Sequence, residues 1–247
     1  MSAAKRLNAL LLTDGQSATC GGHLVKQGDG LALVNHPVSE ELANMAIPLA
    51  APAVTLTLTN AATREGSHTL LSRAVVASGD WLHGRLHVKE LRQAAADRGE
   101  PKPTAQLSTI PALTPVSPTI QAAERPLFDS GVMLRRFRRT TPEGRTEVIV
   151  STTNVQLVRR TLKPHYGEAL RVYQSPWTTS EVEELDRALQ GIESHRVEAI
   201  EARVSEVGIV SRRLIVTFVD QRLADELSSF PADMLVVDAL ARPTTEQ

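Results

Sequence analysis

The chain has 247 residues, enough for two modest domains that each bury a core. Hydrophobic residues make up 42% and charged residues 22%, a globular composition, while aromatics at 3% are too scarce to furnish the stacking platforms of a single-strand nucleic-acid binder. A formal net charge of -1 gives the whole molecule no pull towards nucleic acid or anionic membrane, and the single cysteine, Cys20, excludes an intrachain disulfide and multi-thiolate zinc patterns.

At the N-terminus Lys5 and Arg6 precede the apolar run Leu7 to Leu12, which Asn8 interrupts and Asp14 ends. The run is too short for a secretory hydrophobic region and is expected to form a first strand over 7–13. No apolar run reaches the length of a membrane span. With the lone thiol, these features give a cytoplasmic or other reducing intracellular compartment as the expected location. Segments 18–26, 30–35, 54–59, 68–77 and 81–88 are rich in Val, Leu and Thr and are punctuated by Gly28-Asp29-Gly30, Asn60-Ala61 and Gly79-Asp80, so each is expected to be a strand. Ser39 can cap a short helix through Glu40 to Met45, and a second helix is expected over about 89–98. Residues 1–99 therefore predict a mostly antiparallel β-barrel or sandwich.

Six of the 14 prolines fall between Pro101 and Pro126. Proline removes a backbone donor and restricts its predecessor, so residues 100–126 are expected to be a Pro-rich linker or strap with neither helix nor ladder. Beyond it, Thr141-Pro142-Glu143-Gly144 suits the turn of a hairpin between strands at 132–138 and 146–152. A strand at 169–174, a helix at 178–192, strands at 196–206 and 212–219, a helix at 221–229 and a strand at 234–241 follow. That β-α-β-β-α-β order predicts a ferredoxin-like α/β sandwich with its core at 168–242, inside a domain spanning 127–247. The class expected for the whole chain is α+β.

Two stretches of the first domain carry a resemblance. Cys20-Gly21-Gly22-His23-Leu24-Val25 leads through a turn into Leu31 to His36, and Val54 to Leu58 leads on to Ala74-Val75-Val76-Ala77-Ser78-Gly79-Asp80-Trp81. Over about residues 7 to 90 this resembles the first β-barrel lobe of trypsin-like serine proteases. The resemblance implies His36 as base and Asp80 as its orienting carboxylate. His36 is followed by Pro37, where that family starts a short helix. The family's Gly-Asp-Ser-Gly nucleophile turn has one near match, Phe128-Asp129-Ser130-Gly131, which makes Ser130 the candidate nucleophile of a serine endopeptidase reading. The full second lobe that would hold an oxyanion hole does not follow. The C-terminal order is similar to that of pro-segment domains that assist folding of some secreted bacterial serine proteases.

A basic block, Arg135, Arg136, Arg138 and Arg139 around Phe137, is joined along the chain by Arg145, Arg159, Arg160 and Lys163. On a strand, alternation divides the block between two faces, so only part of it can address one phosphate track or one acidic partner. Scattered histidines, including His23, His36, His68, His83 and His87, form no tight metal-ligand spacing, and neither metal nor cofactor is expected. Cys20 reads as a small buried hydrophobe. The role expected is that of a non-catalytic binding protein or scaffold, a pseudoprotease in its first domain. Its expected partner is another protein or a second copy of the chain. Serine endopeptidase and nucleic-acid-associated subunit stand as alternatives, with nucleic acid the less favoured partner.

Overall fold

The structure is a computed structural model and describes residues 3–45, 52–59, 67, 69–94, 117–141, 143–205 and 209–244. It mixes helices with several sheets and divides into two compact units, one of Met1–Gly99, Ala188–Glu201 and Arg213–Gln247, the other of Glu100–Arg187 and Ala202–Arg212. The C-terminal third of the chain is thus shared between the units, where the sequence predicted one continuous second domain.

In the first unit β1 (Ser17–Gln27), β2 (Gly30–Val34), β3 (Val54–Leu58), β4 (Ala74–Leu82) and β5 (Arg85–Gln93) close on themselves. β1 pairs antiparallel with β2, β2 with β3, β4 with β5 and β4 with β1, while β3 and β5 run parallel. The pairings therefore close a circuit β1-β2-β3-β5-β4-β1. The β-rich first unit that the sequence predicts is present, with one parallel pair, β3 with β5, among otherwise antiparallel strands. Alternation along β4 buries Val75, Ala77 and Trp81, and β5, its ladder neighbour, adds Leu86 and Val88 to the same core. Cys20 lies in the same core with no exposure. Burial pushes its thiol up to about 12, so it is an inert apolar group.

Several local expectations are corrected by cross-strand pairing. The strand expected at 7–13 is helix α1 (Ala3–Leu10), in which Leu7 is the buried contact, and the β character is confined to a bridge from Leu11 to Val219. The turn expected at Gly79-Asp80 lies instead at His83-Gly84, where φ values of 51° and 74° give the left-handed pair that a two-residue hairpin loop requires. Gly79 sits at a β-bulge inside β4. The helix expected from residue 89 is strand as far as Gln93, because Val75 to Ser78 offer a ladder to Glu90 to Gln93. The helix capped near Ser39 is present as α2 (Glu40–Asn44).

The second unit begins with α3 (Pro118–Asp129), which lies where the sequence predicted linker. Pro118 occupies the first turn, where its missing N–H costs nothing, and Ser117 caps the helix by accepting from Ile120 N, so proline here opens a helix instead of preventing one. Residues 100–116 of the expected linker lie outside the described residues. β6 (Met133–Thr140) and β7 (Thr146–Thr152) form the expected hairpin, and β7 continues through α4 (Val155–Tyr166) to β8 (Leu170–Gln174) in a parallel crossover. Val158 and Leu162 of α4 bury against Val148, Val150, Leu170 and Val172.

Pairing of β8 with β7 is the main departure from the ferredoxin-like expectation. The elements α5 (Thr179–Gln190), β9 (Val197–Val204), β10 (Val210–Val216), α6 (Gln221–Leu227) and β11 (Leu235–Ala239) arrive in the expected order. Their sheet is β11-β10-β9 alone, and β8 belongs to the sheet β6-β7-β8. The last predicted strand divides: Leu235–Ala239 stays in that sheet, while β12 (Ala241–Pro243) pairs antiparallel with Ala18 to Cys20 of the barrel.

Close backbone approach makes adjacent glycines of β1 unequal. A Cβ on Gly22 would stand 2.6 Å from the Val34 carbonyl oxygen, whereas one on Gly21 meets nothing nearer than 4.0 Å. Gly22→Ala is expected to cost about 1–3 kcal/mol as an overpacked backbone contact. Gly21→Ala is expected to be neutral or to stabilise by up to about 1 kcal/mol through the unfolded chain. Equilibrium urea unfolding of the two variants checks the contrast, and equal effects would contradict the register of β1 on β2.

Candidate functional site

His36 follows the end of β2, and its Nδ1 lies 3.1 Å from Glu198 Oε1, with its side chain 64% exposed. Asp80 accepts a hydrogen bond from Lys89 Nζ at 2.7 Å and sits opposite His87 in the β4–β5 ladder. The carboxylate beside His36 is therefore Glu198, and Asp80 is engaged by a lysine. Ser130 ends α3, and its hydroxyl donates to the Leu127 carbonyl at 3.3 Å. Acyl transfer by a triad needs a serine bonded to histidine and a histidine bonded to its orienting carboxylate. Each of the three groups spends its hydrogen bond elsewhere. His83 likewise pairs with Asp14, and no cluster of three metal-ligating side chains occurs among the described residues.

The arginines of β6 have individual partners. Arg136 Nη1 donates to Glu124 Oε2 at 2.7 Å and to the Tyr166 hydroxyl at 3.0 Å, and that hydroxyl donates to Glu124 Oε1 at 2.6 Å. This closed triangle joins α3, β6 and α4 around a carboxylate only 4% exposed. Burial would depress the Arg136 guanidinium, but its bonds to Tyr166 and Glu124 outweigh that and raise it. Burial, then the bond to Glu124, lifts Tyr166 to about 12. Arg139 donates through Nε and Nη2 to Glu147 Oε2, which holds the Glu147 carboxyl below its usual range. Arg135 Nη2 stands 3.9 Å from Asp186, a residue already clasped by Arg212 Nε and Nη2 at 2.7 Å each. Arg138 is exposed, with no carboxylate partner among the described residues.

A second group of cations lines a concave site. Asn154 caps α4 by accepting from Leu157 N, and the helix turns Val158 and Leu162 inward. Its outer rows, Arg159 with Lys163 and Arg160 with Pro164, then face a cleft of about 880 Å³ whose other wall is Leu170, Arg171, Val172 and Tyr173 of β8. Lys163 reaches Glu168 at 2.8 Å, and Arg171 Nε reaches Glu147 at 3.0 Å. Arg159 and Arg160 are exposed and have no carboxylate within 4.0 Å among the described residues. The basic residues that the sequence grouped together are thus divided: Arg136 and Arg139 are held by buried or half-buried partners, while Arg159 and Arg160 are exposed. Arg171 and Tyr173 were missed, because α4 itself was missed. Its signals were present in Asn154 at the cap, apolar residues at Val155, Val158 and Leu162, and the stop at Gly167.

No family model matches the chain, and no curated protein matches it significantly.

Tyr166 gives the triangle a signature in alkali. Its pKa rises from an unfolded value of 10.0 to about 12 in the fold, so the stabilisation it brings is complete below pH 10 and is lost as pH climbs from 10 to 12. The melting temperature should fall across that window more steeply in the unsubstituted protein than in Tyr166→Phe. In Tyr173→Phe, where Tyr166 is the one remaining tyrosine, ultraviolet tyrosinate absorbance should develop near pH 12; development near pH 10 would remove the triangle.

Proposed function

We propose that the protein is a non-catalytic binding or assembly protein that takes an anionic partner in the cleft between α4 and β8. The observation that carries this reading is the contrast between two sets of arginines close in sequence. Those of β6 are largely neutralised by Glu124, Glu147 and Asp186, whereas Arg159 and Arg160 project beside a concave site with no carboxylate to offset them among the described residues. Unpaired surface cations lose nothing when they meet a ligand, while a guanidinium already bonded must first break its pair. A cleft of about 880 Å³ falls within the range of ligand-sized sites.

The engagement of His36, Asp80 and Ser130 with other partners supports the non-catalytic part of the reading. A fluorophosphonate probe is accordingly expected to leave the protein unlabelled; stoichiometric reaction at Ser130 that His36→Ala abolishes would replace this reading with the endopeptidase one.

The cleft is tested with two labelled probes of equal charge, an oligoglutamate peptide and an oligothymidylate. At least one should bind with an affinity that falls as salt rises. Arg159→Glu with Arg160→Glu should weaken binding at least about tenfold, given coupling of 1.4 kcal/mol or more to a close charge. Arg138→Glu should leave it within about twofold. Failure of both probes to bind, or equal loss in the two variants, would overturn the assignment of the cleft.

A further inference from the structure

The wall of the cleft formed by β8 is, among the described residues, an edge of its sheet. β8 is the outer strand of the order β6-β7-β8 and pairs on one side, with β7. Ser175 N donates to Thr152 O on that side, so by alternation Arg171 and Tyr173 turn their backbone groups towards β7. Leu170, Val172 and Gln174 turn theirs to the opposite edge. The Leu170 N–H is satisfied by Gly167 O. The N–H and C=O of Val172 and of Gln174 have no second strand to bond among the described residues. Val172 lines the cleft directly.

We infer that the partner is an acidic, extended peptide segment that adds to β8 as a fourth strand. Such a segment would exchange ladder hydrogen bonds with Val172 and Gln174 and set its carboxylates against Arg159, Arg160 and Lys163 of the flanking helix. The inference rests on the binding reading above and narrows it to one partner chemistry. A strand laid between a sheet edge and a helix receives main-chain hydrogen bonds from the edge and side-chain selection from the helix. Here the selecting wall offers arginine and lysine, so charge complementarity specifies Glu or Asp in the segment. Nucleic acid fits the charge but cannot complete a backbone ladder, and a helix presents no free ladder groups at all. The edge is also of the kind that proteins leave short when it must not recruit strands indiscriminately: β8 has five residues.

The test uses the full chain and a labelled decapeptide of alternating glutamate and threonine, beside the same peptide methylated at every backbone nitrogen and an oligothymidylate of equal charge. The unmodified peptide should bind, and methylation should weaken binding about tenfold or more, as loss of two ladder bonds of about 1 kcal/mol each would require. Amide hydrogen exchange at Val172 and Gln174 should slow on binding, while exchange along β6 should not. Equal binding of the methylated peptide, or unchanged exchange at Val172 and Gln174, would overturn strand addition. If Arg159→Glu with Arg160→Glu still abolished binding in that case, the anionic cleft would survive. Tighter binding of the oligothymidylate than of the peptide would also overturn strand addition, in favour of nucleic acid. Absence of binding by every probe would remove the cleft assignment itself.

Discussion

A carboxylate as buried as that of Glu124 needs donors from the protein in place of the water it has lost. Arg136 and Tyr166 supply them, and because the three residues come from β6, α4 and α3, satisfying one carboxylate fixes three elements. The arrangement is directional where the surrounding apolar contacts are not. Burial of the row Val158 and Leu162 sets which side of α4 faces the sheet, and the bond from the Tyr166 hydroxyl to Glu124 fixes that rotation in place. That rotation turns Arg159 and Arg160 towards the edge of β8. The open cations of the cleft are therefore positioned by the closed ion network behind them.

What was legible in the sequence follows from how local each feature is. The hairpin of β6 and β7 announced itself through Thr141 to Gly144, since turn chemistry and flanking alternation lie within twenty residues. The barrel strands were visible through period-two burial, although the bulge at Gly79 looked like a turn because glycine is used in both. The element order after β8 was also readable. Which sheet β8 joins was not, because a β-α-β crossover to β7 and a β-α-β-β run onward use the same local pattern. The crossover depends on α4, and Pro164 with a run of cationic residues obscured a helix whose apolar stripe is only Val155, Val158 and Leu162 wide.

The barrel illustrates a different limit. Its circuit needs a parallel pair, Leu56 to Leu58 against Leu86 to Val88, between segments that are separated by the whole of β4. β12 then lies along Ala18 to Cys20, more than two hundred residues away in sequence. Trp81, buried in the core, packs at a tilt against Phe218 with ring centroids 4.8 Å apart, and the Arg196 guanidinium lies over the Phe218 ring at 4.8 Å. None of these partnerships has a local signature. Likewise, the histidine and aspartate that invited comparison with a protease lobe were compatible with it in spacing, yet their neighbours, Glu198 and Lys89, were set by pairing at long range and close at hand respectively.

The basic residues show why a count of charges in sequence is a poor guide to a binding surface. Arg135 to Arg139 form the densest cluster in the chain, and on that ground alone they would be the first candidates for an anionic partner. On a strand they alternate between faces, and folded neighbours reach them first: Glu124, Glu147 and Asp186 each lie within 4 Å of one of them. A partner would have to compete with carboxylates whose effective concentration is that of an intramolecular contact. Arg159 and Arg160 are fewer, but helical geometry keeps both on the outside of α4, and the chain supplies them no competitor among the described residues. Availability, which depends on what the fold has already paired, outweighs local density in deciding which of these cations the proposed anionic partner would meet.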